Sequence, residues 1–174
     1  MDSDPGEVIN DRSVRLLTLL RHGKAEAAPR GGTDRDRALA ARGHSDVRKI
    51  ALRSVDPTRQ PQRILYSQAR RTVETAGVFR DTLSLDENRF IGRERLYLAS
   101  VETLLAEIQE QDAEGVEHLM IIGHNPGLEQ LAMHLDKRLG EPHWSMSTAT
   151  LCRFLRRVDE PARLLLEERP GSRR

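Results

Sequence analysis

Apolar positions follow two rhythms along this chain, and the rhythms alternate. Largely unbroken runs stand at Val14–Leu20, Ile64–Tyr66 and Leu119–Ile122. Each reads as a strand, the last as a central one buried on both faces. Between them apolar residues recur every three or four positions. Val47, Ile50 and Ala51 mark a helix over 41–54, and Ala69, Val73, Ala76 and Phe79 mark one over 69–83. Val101, Leu104, Leu105 and Ile108 mark a third, with 77–117 holding two helices and a short connection. Leu128, Leu131, Ala132 and Leu135 mark a fourth, for which Asn125 is a good N-cap and Pro126 a good first residue. Residues 148–155 and 163–167 read as closing strands. Strands alternating with helices predict an α/β layered domain.

Composition narrows the picture. At 174 residues the chain fits one domain with its own core. Residues 1–12 read as a disordered tail, 13–168 as the domain and 169–174 as a basic tail. Charged residues are 32% of the chain, yet the signs cancel to +1. Neither a nucleic-acid partner nor a membrane is expected from so balanced a surface, and only 3% of residues are aromatic. All basic residues but Lys24, Lys49 and Lys137 are arginine, spread along the whole length. Cys152 is the single cysteine, in a strand-like run, which excludes an internal disulfide and fits a buried thiol. No signal peptide and no apolar stretch of membrane-spanning length is visible, so a cytoplasmic location is expected.

The chemistry lies at strand ends. Arg21-His22-Gly23 follows the first apolar run, where open α/β sheets place ligands. An imidazole can attack phosphorus and an adjacent guanidinium can hold phosphoryl oxygens. Two further segments, Tyr66-Ser67-Gln68-Ala69-Arg70-Arg71-Thr72-Val73-Glu74-Thr75-Ala76 and Ile121-Ile122-Gly123-His124-Asn125-Pro126-Gly127-Leu128, also follow apolar strands.

In this order the three segments resemble the histidine phosphatase superfamily, above all its small SixA-type phosphohistidine phosphatases. The resemblance runs from about Val14 to about Glu167. It rests on Arg21-His22-Gly23, on the spacing of Ser67, Arg71 and Thr75, and on Gly123-His124-Asn125-Pro126-Gly127. Gln68 and Glu74 depart from the commoner proline and glutamine. The resemblance implies a phosphoglycerate-mutase-like fold: a three-layer α/β/α sandwich with a mostly parallel central sheet and no cap domain.

It also implies a nucleophilic His22, with Arg21 and Arg71 clamping the phosphoryl group and His124 donating to one of its oxygens. Thr75 would support Arg71. Attack requires a neutral His22 whose other ring nitrogen donates to a backbone carbonyl, whereas His124 would act best when protonated; a bell-shaped pH profile follows. Glu94 is the one candidate for a general acid, and Tyr97 either lines the site or packs beside it. No metal or cofactor is expected, and His44, His118, His134 and His143 show no convincing ligand spacing. The expected partner is a phosphorylated protein of histidine-phosphotransfer type; the alternatives are a small phosphoester, or a non-catalytic phosphoprotein-binding module on the same fold. A monomer is expected.

Overall fold

A computed structural model describes residues 14–54, 56, 60–140, 143–157 and 160–171. Six strands form one mixed sheet: β1 Val14–Arg21, β2 Arg63–Ser67, β3 Phe90–Arg93, β4 His118–Gly123, β5 Leu151–Arg157 and β6 Glu160–Glu168. Their order is β3-β2-β4-β1-β5-β6. The first four run parallel, and β5 and β6 close the sheet antiparallel. The assumed mostly parallel sheet is therefore present, with a two-stranded antiparallel border.

Alternation within the strands divides the core. Leu17, Leu19, Leu65, Leu119 and Ile121 point to one face, where α3 (Val101–Ala113) and α4 (Gly127–Leu135) cover them with Leu104, Ile108, Leu128 and Leu131. Leu20, Ile64, Met120 and Ile122 point to the other. There α1 (Ala41–Ser54) and α2 (Arg70–Leu83) supply Val47, Ile50, Ala76 and Phe79. The result is the three-layer sandwich. All six residues of β4 are buried, as its central place between β2 and β1 demands.

Three details differ from the expectations. The 77–117 span holds a strand, β3, besides its helices, because four residues pair in parallel with β2 from Ile64↔Phe90 to Ser67↔Arg93. Its Phe-Ile-Gly-Arg pattern is too short to show a period. Asn125 does not cap α4, which starts at Gly127 behind a cis Asn125–Pro126 peptide. The Asn125 amide instead donates to Glu129 Oε2 at 3.1 Å and to the Met146 carbonyl at 2.9 Å. The first closing strand begins at Leu151, since 148–150 form a turn with Ala149 at φ 57°.

Gly127 is required by close packing: a Cβ there would collide with the Ala99 carbonyl oxygen ahead of α3. The 1–12 tail lies outside the described residues, as do the last three residues of 169–174. Arg169 is tied down, donating to the Ser145 carbonyl at 2.8 Å and pairing with Glu167. No described helix is long and apolar enough to cross a membrane.

Candidate active site

Strand order explains the site. β2, β4 and β1 are parallel neighbours, so their C-terminal ends open on one edge of the sheet. Arg21 pairs with Gly123 there, and Ser67 ends β2 beside them. The three separated segments thus deliver Arg21, His22, Arg71 and His124 to one pocket of about 360 Å³.

His22 is buried, and its Nδ1 lies 2.8 Å from its neighbour's carbonyl, Gly23 O. A carbonyl only accepts, so Nδ1 carries the proton and Nε2 is left unprotonated. Nε2 meets the Arg71 guanidinium, whose Nε donates to it at 3.3 Å. Burial, then Arg71 and Arg21, pull the His22 pKa down to about 4, against the Gly23 bond that raises it. The ring is neutral at pH 7, as nucleophilic attack requires. Thr75 fastens this loop to α2: its hydroxyl accepts from Gly23 N at 3.2 Å and donates to the Arg71 carbonyl at 2.7 Å.

Arg71 lies in the first turn of α2 and is 3% exposed. Its Nη2 stands 3.2 Å from His124 Nδ1. Guanidinium can only donate, so Nδ1 accepts and the His124 proton sits on Nε2, which donates to Ser67 Oγ at 2.7 Å. Burial, then the nearby His22 and Arg71, hold the His124 pKa down to about 3. The ligand-free site therefore keeps both histidines neutral near pH 7, and a bound anion would raise the His124 pKa again. Arg21 donates to the Met146 carbonyl at 2.8 Å, while its Nε is buried without a partner. Arg70 faces outward and pairs with Glu74.

Glu94 is not brought to the pocket. Its side chain is 59% exposed and pairs with Arg35. Another carboxylate is there instead. Asp34 Oδ2 accepts from Arg71 Nη2 at 2.9 Å and from Tyr97 OH at 2.7 Å. The Tyr97 bond, with Arg37 and Arg71, holds the Asp34 pKa down to about 2. The tyrosine ring also meets His124 edge-on, at 5.5 Å between centroids. The loop that carries Asp34 reads as flexible because of Gly31-Gly32, but it is pinned by the Ala25↔Leu39 bridge and by a capping box in which Asp36 serves Thr33. The Thr33-x-x-Asp36 spacing was the available signal for that turn. Arg37 and Thr148 also line the pocket, whereas Trp144 turns away to Glu167. Among the described residues no set of three or more metal-ligating side chains converges.

A family model for the histidine phosphatase superfamily (branch 1) matches residues 17–173. The chain belongs to that superfamily. Among solved structures, this histidine phosphatase is similar to a chain assigned as phosphohistidine phosphatase SixA of Agrobacterium tumefaciens. The two are 27% identical with a TM-score of 0.77, over 88% of this chain and 97% of that one. A protein histidine phosphatase SixA complexed with tungstate gives 23% identity and a TM-score of 0.75, covering 89% and 97% of the two chains. Phosphoglycerate mutase from Bacillus anthracis shares the fold at 13% identity and a TM-score of 0.66, covering 90% and 94%. No curated protein matches in sequence. With SixA phosphatases as structural neighbours, the enzyme is a phosphatase of phosphoglycerate-mutase-like fold, and no cap domain is present among the described residues.

Proposed function

We propose that this enzyme hydrolyses phosphohistidine on protein through a phospho-His22 intermediate. The observation that carries the reading is the His22 tautomer, fixed by Gly23 O, with Nε2 aimed into a pocket where Arg21, Arg71 and His124 meet. In the first step Nε2 forms a bond to phosphorus as the phosphorus–nitrogen bond of the substrate breaks. The departing imidazole nitrogen takes its proton from water. In the second step water attacks phosphorus, the His22–phosphorus bond breaks, and inorganic phosphate leaves with the water's second proton released to solvent. Charge spread over the equatorial oxygens is met by the two arginines and by His124, so positioning and electrostatics carry the catalysis.

The leaving group fits what surrounds the pocket. Asp34 is its carboxylate, and with a pKa near 2 it is an anion that holds no proton to give. An alkoxide needs such a proton; an imidazole leaving a phosphorus–nitrogen bond needs far less help. The uncapped pocket also suits a phosphoryl group presented on a protein surface. The SixA neighbours, one of them holding the oxyanion tungstate, support the same reading.

The test is hydrolysis of a phosphohistidine protein and of p-nitrophenyl phosphate, side by side, with EDTA present, by wild type and His22→Ala. Turnover of the phosphoprotein at much higher kcat/KM, lost in the variant, is expected. Faster turnover of the small ester would assign the same chemistry to small molecules.

A further inference from the structure

A second cleft, of about 490 Å³, opens beside the catalytic pocket, and Lys24 and Thr148 form the sill that lines both. Its other charged walls are Arg42 and Asp46 on α1 and Arg169 after β6. Position is fixed on each side. The start of α1 is pressed against the catalytic loop, since a Cβ on Gly43 would collide with the Lys24 carbonyl oxygen. Arg169 is anchored by the Ser145 carbonyl, and its own carbonyl accepts from Arg53 at 3.3 Å.

The charge of this surface is one-sided. Pocket and cleft together present six arginine or lysine side chains against two carboxylates, Asp34 and Asp46, in a chain whose net charge is +1. A phosphoryl dianion balances only half of that excess. Arg169 is already paired with Glu167, and Arg42 is held loosely to Asp46 at 3.4 Å with 82% of its side chain exposed. Lys24 is exposed and makes no ion pair among the described residues. Two cations therefore face the cleft with little or no compensation, next to the phosphoryl site.

We propose that this cleft reads carboxylates flanking the phosphohistidine of the substrate protein, with Lys24 and Arg42 as the reading groups. The inference rests on the phosphohistidine-protein reading above and specifies the kind of surface that carries the phosphoryl group. Charge complementarity at such a site acts mainly on encounter and specificity, so it belongs in kcat/KM and weakens with salt.

The experiment uses two phosphohistidine peptides of equal length, one flanked by glutamates and one by glutamines, with p-nitrophenyl phosphate as a third substrate. Wild type and the double variant Lys24→Gln/Arg42→Gln are compared at low and at physiological salt. We expect wild type to favour the glutamate peptide by about tenfold in kcat/KM at low salt, the sum of two exposed charge contacts. In the double variant the preference falls below about twofold, and Arg42→Gln alone, on a wall of the cleft outside the catalytic pocket, lowers it to about threefold while p-nitrophenyl phosphate turnover stays the same, which also shows that this variant is folded. Equal wild-type rates on both peptides, or a preference that survives in the double variant, overturn the cleft assignment and leave the phosphohistidine reading standing. Turnover of p-nitrophenyl phosphate with neither peptide cleaved overturns both.

Discussion

Asp34→Asn isolates a competition that the ligand-free site already displays. The Asp34 carboxylate occupies Arg71 Nη2 at 2.9 Å, a donor that a phosphoryl oxygen also needs. An oxyanion held by the same guanidinium comes within about 4 Å of that carboxylate, where two unit charges repel by about 1 kcal/mol in water and about 4 kcal/mol at an effective dielectric constant near 20. The Asp34 side chain is 45% exposed, so the solvent end of that range applies. A net penalty of about 1–2 kcal/mol corresponds to roughly five- to thirtyfold in affinity. Asparagine keeps the size of the side chain and its acceptor toward Tyr97 while removing the charge. The expected result is tungstate or vanadate inhibition of p-nitrophenyl phosphate hydrolysis at an inhibition constant about tenfold lower than wild type, at fixed ionic strength. With its pKa near 2, Asp34 stays ionised throughout the assay range, so the gain is equal at about pH 5 and about pH 8. An inhibition constant unchanged or raised in a variant that melts like wild type would show that Asp34 does not compete with the bound oxyanion. Asp34 would then serve chiefly to hold Arg71 in place.

His22→Asn should reduce turnover by a factor of about a thousand or more while retaining tungstate binding, measured by single-turnover kinetics and calorimetry. Acid stability carries a sign of its own. Both site histidines have folded-state pKa values, about 4 and about 3, below the ordinary 6.5. As pH falls below about 6.5 the unfolded chain gains protons that the folded chain refuses, so these groups make stability decline toward about pH 3. Denaturant midpoints should follow that decline, and His22→Asn should make it shallower between about pH 6.5 and about pH 4; parallel curves for the two proteins would contradict it. Gly127→Ala, which drives a Cβ into the Ala99 carbonyl, should cost about 2–3 kcal/mol in urea unfolding.

Sequence reading reached the site through local signals. Arg21, His22 and His124 stand at the end of an apolar run and Arg71 four residues past the end of β2, in the first turn of the helix that follows, and parallel order then brings them together. Asp34 has no such neighbour. It sits in a polar loop, after Gly31-Gly32-Thr33 and before Arg35-Asp36-Arg37, and its place against Arg71 is set by the Ala25↔Leu39 bridge and by Tyr97, which lies 63 residues away. Glu94 is a candidate because its stretch, Gly92 to Tyr97, stands where larger relatives carry a general acid, and its pairing with Arg35 depends on that same loop. The short β3 escaped because four residues carry too little periodicity to separate strand from turn, and partnership with β2 decides it. The Asn125 capping signal was outcompeted by two tertiary acceptors, Glu129 and the Met146 carbonyl.

Protonation of His124 ties structure to rate. Donation to a phosphoryl oxygen from Nδ1 requires a second proton on a ring that is neutral in the empty site, with a pKa near 3. Taking that proton from solvent would make kcat/KM fall tenfold per pH unit across the whole working range. A phosphoryl monoanion brings the proton with it: its last ionisation lies near pH 6, and on binding the proton can pass to Nδ1 as the dianion forms. The acid limb of kcat/KM should then reflect His22, near pH 4, and the alkaline limb should reflect the substrate rather than the enzyme. The bell shape expected from two histidines in opposite states survives, but one of its two slopes changes owner. Aryl phosphates whose second ionisation differs by about one pH unit provide the measurement. An alkaline limb that moves with the substrate supports proton delivery by the phosphoryl group. A limb fixed for all substrates, and displaced by changing His124 or Ser67, assigns it to the enzyme and overturns this account.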